Sequence, residues 1–181
     1  GILERTGIDL PALGPGSSSA LHVIAEALKH GFADRARLLG DSESGRAAAS
    51  ALLDDGRLRR LAAKVRLDRT LPSASYGEMP PSSPAGAGAA PRPGGTSHVC
   101  VIDAEGIAVS ITSTVNGYFG SKLVTAGGVV LNNQIDDFTI DPAMVNAFNL
   151  TQSEANLVGP GRRPLSSMAP TLVFDGDQVV G

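Results

Sequence analysis

Ser97-His98-Val99-Cys100-Val101-Ile102-Asp103 and Ile107-Ala108-Val109-Ser110-Ile111-Thr112-Ser113-Thr114 are the two runs that decide how this chain folds. Both are rich in β-branched residues and alternate with period two, and Ala104-Glu105-Gly106 between them is a turn, so together they predict a β-hairpin. Downstream, strands are expected at Gly128-Val129-Val130-Leu131 and Thr171-Leu172-Val173-Phe174, after which Asp175-Gly176-Asp177-Gln178 turns the chain into Val179-Val180. That last pair has no further strand to sit beside it, so residues 96–181 read as the opening of a sheet-rich domain that continues elsewhere.

Upstream of the hairpin the chemistry changes. Residues 72–95, PSASYGEMPPSSPAGAGAAPRPGG, hold six Pro and five Gly with almost no large apolar side chains, which predicts a mobile linker. Residues 1–71 read as helical. After Gly14-Pro15-Gly16, the hydroxyls of Ser17-Ser18-Ser19 offer an N-cap, and Leu21, Ile24, Ala25, Leu28 and Phe32 then form one apolar stripe over about four turns. Further helices are expected from Arg46 to Asp54 and from Arg57 to Val65, broken at Gly56. His22 and His30 read as exposed helix histidines, with no carboxylates spaced to complete a metal site.

The balance of 15 Lys+Arg against 18 Asp+Glu gives a net charge of −3 and argues against a nucleic-acid partner. The basic run from Arg57 to Arg69 is interrupted at helical spacing and reads as a solvated face. With 42% hydrophobic and 18% charged residues the chain suits a globular core, and no apolar run approaches the roughly 20 residues that span a bilayer. Gly1-Ile2-Leu3-Glu4-Arg5 is not a signal peptide, and the absence of an initiator Met suits a piece of a longer chain. The single Cys100 forms no internal disulfide.

No Gly-x-Ser-x-Gly elbow, phosphate-binding glycine loop or His/Asp/Ser triad context is present. What remains is a series of polar motifs in fixed order: Gly94-Gly95-Thr96-Ser97-His98, Thr114-Val115-Asn116-Gly117-Tyr118-Phe119-Gly120-Ser121, Asn132-Asn133-Gln134-Ile135-Asp136-Asp137-Phe138, and Arg163-Pro164-Leu165-Ser166-Ser167-Met168. Taken singly, each has a bland reading. The aspartates suit loop capping, and Ser166-Ser167 suits a helix N-cap or turn.

In their order and spacing these motifs resemble the γ-glutamyltransferases (γ-glutamyl transpeptidases, glutathione hydrolases) of the N-terminal-nucleophile hydrolase superfamily. The resemblance extends to Phe32-Ala33-Asp34-Arg35 and Leu39-Gly40-Asp41 and covers nearly the whole chain. It implies an α+β fold, the four-layer αββα sandwich. Residues 1–71 would be the helical C-terminal part of a large subunit, 72–95 a linker ending at a self-cleavage site, and 96–181 the N-terminal half of a small catalytic subunit.

The implied chemistry starts with the Thr96 hydroxyl attacking the Gly95–Thr96 peptide bond. The freed α-amino group, with a reference pKa of about 7.7–8.0, then serves as base for the hydroxyl of its own residue. Thr114 would bond near the Thr96 hydroxyl. Asn116, Gln134 and Asp137 would accept hydrogen bonds from the substrate α-ammonium, and Ser166 and Ser167 would donate to its α-carboxylate. His98 reads as a strand residue, with Tyr118 and Phe119 packing near the site.

The resemblance further implies glutathione or other γ-glutamyl donors, with water, an amino acid or a dipeptide as acceptor. It also implies a heterodimer cut from one precursor, no metal or organic cofactor, and a periplasmic or secreted location. The arginine and paired glycines that complete such a site would lie outside this sequence, which leaves the segment alone inactive. Two alternatives stand beside this reading: a cephalosporin or glutaryl-type acylase on the same scaffold, and a non-catalytic relative.

Overall fold

The computed structural model describes residues 1–77, 94–144, 146, 150 and 152–181. They divide into two compact units, Gly1–Gly88 with Phe138–Leu165 and Ala89–Asp137 with Ser166–Gly181. The chain thus crosses between units more often than its composition suggests, because residues 138–165 pack with the helices. The linker expected at 72–95 falls largely on positions 78–93, outside the described residues. Its first part is packed instead: Ser73–Ser75 forms a 3₁₀ turn, and Tyr76 is buried.

The first unit is built from helices α1 (Ile2–Arg5), α2 (Leu10–Leu13), α3 (Ser18–Leu38), α4 (Glu43–Ala51) and α5 (Asp55–Ala62). Each of the three longest has a side-chain oxygen capping an otherwise orphaned backbone N–H. Ser17 Oγ accepts from Ala20 N at 3.1 Å, Ser42 Oγ from Gly45 N at 3.0 Å and Asp54 Oδ1 from Arg57 N at 2.8 Å. The last cap starts α5 at Asp55, so Gly56 sits inside that helix and the break falls on Leu52–Asp54.

The apolar stripe expected on α3 is not the face that packs. Leu21, Leu28 and Phe32 are more than half exposed, while Ala20, Val23, Glu26, Ala27, His30 and Asp34 are buried. The polar members of that face are accepted because each has a partner. Glu26 takes hydrogen bonds from Tyr76 Oη (2.7 Å), Lys29 Nζ (2.6 Å) and Thr70 Oγ1 (3.2 Å). Burial alone would push its carboxyl up, but these three donors hold it down at about 2. Asp34 pairs with Arg57 at 2.6 Å, so Arg57 is a buried partner and not part of a solvated face.

His30 is likewise fully buried, contrary to its expected exposure, and its Nδ1 accepts the Gly77 N–H at 3.0 Å. Burial lowers the His30 pKa, with Lys64 nearby acting in the same direction. Arg37 and Lys64 donate to the Tyr76 and Gly77 carbonyls at 2.6 and 3.1 Å. The peptide at 76–77 is therefore held by side chains on every side. His22, half-buried, bonds the Arg66 carbonyl at 2.8 Å.

The second unit contains the expected hairpin, β1 (Gly94–Ile102) antiparallel to β2 (Ala108–Gly117). Asp103 closes its turn by accepting from Glu105 N and Ile107 N. A second hairpin pairs β3 (Phe174–Asp175) with β4 (Gln178–Val179), as the Asp175–Gln178 turn predicts. The strand expected at 128–131 is reduced to one bridge, Val124 with Val130. Among the described residues each sheet has two strands, and Val99, Val101, Val109 and Ile111 are exposed on one face of the β1–β2 ribbon.

Candidate active site

The β1–β2 register sets Thr96 opposite Thr114, His98 opposite Thr112 and Cys100 opposite Ser110. Directly opposed side chains share a face, so this face of the ribbon carries a row of polar pairs. His98 Nδ1 lies 2.7 Å from Thr112 Oγ1, which ties the imidazole into the ribbon as a strand residue. Thr96 Oγ1 lies 2.8 Å from Thr114 Oγ1.

Next to this pair the ladder slips. Gly94 pairs with Gly117 while Thr96 pairs with Thr114, so β2 uses one residue more than β1 and bulges at Val115–Asn116, opposite Gly95. Asn116 has φ +73°, a left-handed conformation that Asn tolerates better than most residues. At Gly95 a side chain would force a shift, because a Cβ there would stand 2.8 Å from Val115 Cγ2.

The Thr114 hydroxyl is the hub of the site. Its oxygen accepts the Asn116 N–H at 2.8 Å and lies 3.4 Å from the Gly95 carbonyl oxygen as well as 2.8 Å from Thr96 Oγ1. One assignment satisfies all three contacts: Thr114 donates to the Gly95 carbonyl, and the Thr96 O–H donates to Thr114. Chemically, the carbonyl before Thr96 is polarised while the proton on Thr96 is drawn toward a second oxygen. The side chain of Thr96 itself is exposed.

From Asn116 the network continues inward. Its Nδ2 donates to Asp137 Oδ1 at 2.9 Å and to the Asn133 carbonyl at 3.4 Å. Asp137 closes the 3₁₀ turn Gln134–Asp137 and is buried, whereas Asp136 is exposed and accepts from Asn133 Nδ2 at 2.8 Å. Asn133, given no role from sequence, also accepts the Gly117 N–H at 2.7 Å. It links the end of β2 to the acidic turn, a task suited to an amide that donates and accepts at once. Only its place in the Asn132–Phe138 run pointed to it.

The structure therefore joins Thr96, Thr114, Asn116 and Asp137 by direct bonds. Gln134 shares the 3₁₀ turn with Asp137, and its backbone N–H is held by Asn132 Oδ1 at 3.0 Å, with the side chain half-buried. Ser166 and Ser167 lie in the same unit on an exposed stretch without helix or strand, where Ser166 Oγ accepts the Met168 N–H at 3.1 Å. Tyr118 and Phe119 follow the bulge and meet edge to face at 5.5 Å. With Lys122, Val124 and Val130 they line an open hollow of about 330 Å³.

Comparison with known proteins places the chain in a family. The family profile described as Gamma-glutamyltranspeptidase matches residues 1–181. A glutathione hydrolase proenzyme from Pseudomonas sp. (strain A14) is 40% identical over 99% of this chain, and one from Escherichia coli (strain K12) is 37% identical over 95%. The chain spans 30% and 28% of the length of these two relatives. A solved acivicin-inhibited gamma-glutamyltranspeptidase, described as revealing roles for its C-terminus in autoprocessing and catalysis, superposes with TM-score 0.43 at 43% identity. That match covers 45% of this chain and 45% of the solved one. On the profile match over every residue and the identity to these relatives, the chain belongs to the gamma-glutamyltranspeptidase family.

Proposed function

We propose that this chain is the subunit junction of a self-processing γ-glutamyl hydrolase and transferase. In this reading residues 1–95 belong to the large subunit, Thr96 begins the small one, and the two stay together as a heterodimer with the four-layer αββα fold. The observation that carries the proposal is the Thr114 hydroxyl placed between Thr96 Oγ1, at 2.8 Å, and the Gly95 carbonyl oxygen, at 3.4 Å. The term proenzyme, used of both curated relatives, supports a processed precursor.

In the first step Thr96 Oγ attacks the Gly95 carbonyl carbon and passes its proton toward Thr114, the C–N bond breaks, and the Thr96 amine takes up a proton. The resulting ester is hydrolysed by water, leaving the Gly95 carboxylate and a free Thr96. The new α-amino group then acts as base for Thr96 Oγ in its attack on a γ-glutamyl amide, such as that of glutathione. The amine leaving group departs with a proton, and water, an amino acid or a dipeptide takes the acyl group from Thr96.

Asp137, with Asn116 and Gln134, receives the substrate ammonium, and Ser166 and Ser167 receive its carboxylate. The buried Asp137 carboxylate bound to Asn116 favours an α-amino acid head over a glutaryl one, which carries no ammonium. Export to the periplasm or the medium is part of the same proposal, and fractionation of the native host tests it.

The deciding experiment compares the full-length protein with its Thr96→Ala variant by intact mass and N-terminal sequencing, followed by a γ-glutamyl anilide assay. The expected wild-type product is a subunit beginning Thr96-Ser97-His98, with the variant whole and inactive. A wild type that stays whole and inactive would instead favour the non-catalytic relative.

A further inference from the structure

Two side chains of the helical unit hold the tripeptide Arg163-Pro164-Leu165 at both ends. Asp41 Oδ2 accepts the Arg163 backbone N–H at 3.0 Å and its Nε at 3.4 Å. Asn156 Oδ1 accepts the Leu165 N–H at 3.0 Å. Pro164 has no N–H, so both amide donors of the tripeptide are bound.

The acceptors are themselves fixed. Asp41 Oδ1 receives Arg46 Nη1 at 2.8 Å, and the same guanidinium nitrogen reaches the Asp41 carbonyl at 2.8 Å. Asn156 is 1% exposed, donates to Gln152 Oε1, and its carbonyl accepts the Thr139 N–H at 2.9 Å. The residues that follow Leu165 are Ser166 and Ser167, in a stretch without helix or strand. Such a stretch takes its backbone direction from whatever holds its ends, and here the upstream end is held by Asp41 and Asn156.

We infer that Asp41, together with Asn156, is a positioning residue for Ser166 and Ser167, fixing Arg163-Pro164-Leu165 so that the two hydroxyls are presented to the substrate α-carboxylate. This rests on the role given to the serines in the proposed function. Asp41 touches no reacting atom, so its removal is expected to appear in the recognition of the carboxylate and not in the chemistry at Thr96.

The test uses the full-length processed enzyme and two donors, γ-glutamyl p-nitroanilide and 4-aminobutanoyl p-nitroanilide, which differ only by the α-carboxylate. The readout is the ratio of their kcat/KM values. Asp41→Ala is expected to lower this ratio about tenfold through the KM of the γ-glutamyl donor, with its kcat within about threefold. Asp41→Asn, which keeps an oxygen for the Arg163 N–H, is expected to retain most of the ratio. Should Asp41→Ala fail to fold, Arg46→Met at the surface loosens the same carboxylate and is expected to lower the ratio about threefold.

A Ser166→Ala/Ser167→Ala double variant provides the reference for losing carboxylate recognition outright. If it lowers the ratio while the Asp41 and Arg46 variants lower both donors alike, or neither, the positioning role is overturned and the serine reading stands. If the double-serine variant leaves the ratio unchanged, the serine reading itself fails and the role of Asp41 goes with it.

Discussion

Replacing Gly95 by Ala adds a single methyl group at the bond proposed to be cleaved, and the structure says where that methyl goes. Its carbon would stand 2.8 Å from Val115 Cγ2, closer than carbon atoms approach without displacement. Val115 is β-branched and lies in the bulge of β2, so its rotamer is stiff and the backbone must give. Overpacking of this kind costs about 1–3 kcal/mol, which corresponds to roughly a 5- to 150-fold loss of molecules in the cleavable geometry.

The displaced contact is the Thr96–Thr114 pair, which the bulge adjoins. Self-cleavage followed by intact mass in the purified precursor should therefore slow by a factor in that range. Val115→Ala removes the opposing methyl, so the double variant Gly95→Ala/Val115→Ala should recover most of the lost rate. That recovery separates steric conflict at the bulge from a general effect of alanine on carbonyl reactivity. Cleavage of the Gly95→Ala precursor at the wild-type rate would refute the reasoning, as would a double variant no faster than the single one.

Other consequences are more quickly stated. Thr114→Val keeps the shape of the side chain but leaves the Asn116 N–H and the Gly95 carbonyl without their shared partner, and precursor cleavage should slow by roughly 10²-fold in the same mass assay. At position 116, with φ +73°, Asn116→Gly should be more stable than Asn116→Ala by about 1 kcal/mol in urea unfolding, although both lose the Asp137 contact. Tyr76→Phe leaves Glu26 and the Leu71 N–H short of a donor and an acceptor respectively, and should lower stability by about 1–3 kcal/mol. Asp41 is held at about 2, first by the Arg163 backbone N–H and then by Arg46, so the KM for γ-glutamyl donors should show no inflection from it between mildly acid and alkaline pH.

The hairpin was legible because alternation of β-branched residues marks both strands, whereas the closeness of Thr114 to Thr96 came from the family resemblance and not from periodicity. The packing face of α3 was not. Hydrophobic periodicity selects Leu21, Leu28 and Phe32, but the described unit buries Glu26, His30 and Asp34, whose partners Tyr76, Gly77 and Arg57 are remote in sequence. A polar residue becomes a core residue only when a partner arrives, and one chain segment does not reveal its partner. The same holds for Asp41, visible in sequence as part of Leu39-Gly40-Asp41 yet given its role by a backbone amide 122 residues away. The bulge at Val115–Asn116 was equally hidden, since an Asn-Gly pair at 116–117 reads as a turn as readily as a left-handed strand residue.

That bulge is the step that ties the site together. A regular ladder beyond Thr96–Thr114 would pair Gly95 with one residue and keep Asn116 in extended backbone, its N–H in the plane of the ladder and not turned onto a neighbouring hydroxyl. The extra residue instead lets Asn116 turn its N–H onto Thr114 Oγ1 while its amide reaches Asp137. One backbone irregularity thus supplies the donor that fixes the hub hydroxyl and the link to the buried carboxylate. It also brings Val115 against position 95, where a Cβ would stand 2.8 Å from Val115 Cγ2. The three residue choices are coupled through the bulge, so Asn116→Gly, which permits the bulge, should preserve precursor cleavage far better than Asn116→Val, which opposes it. Equal cleavage rates for the two variants would show that the left-handed conformation at 116 is incidental to the chemistry at Thr96.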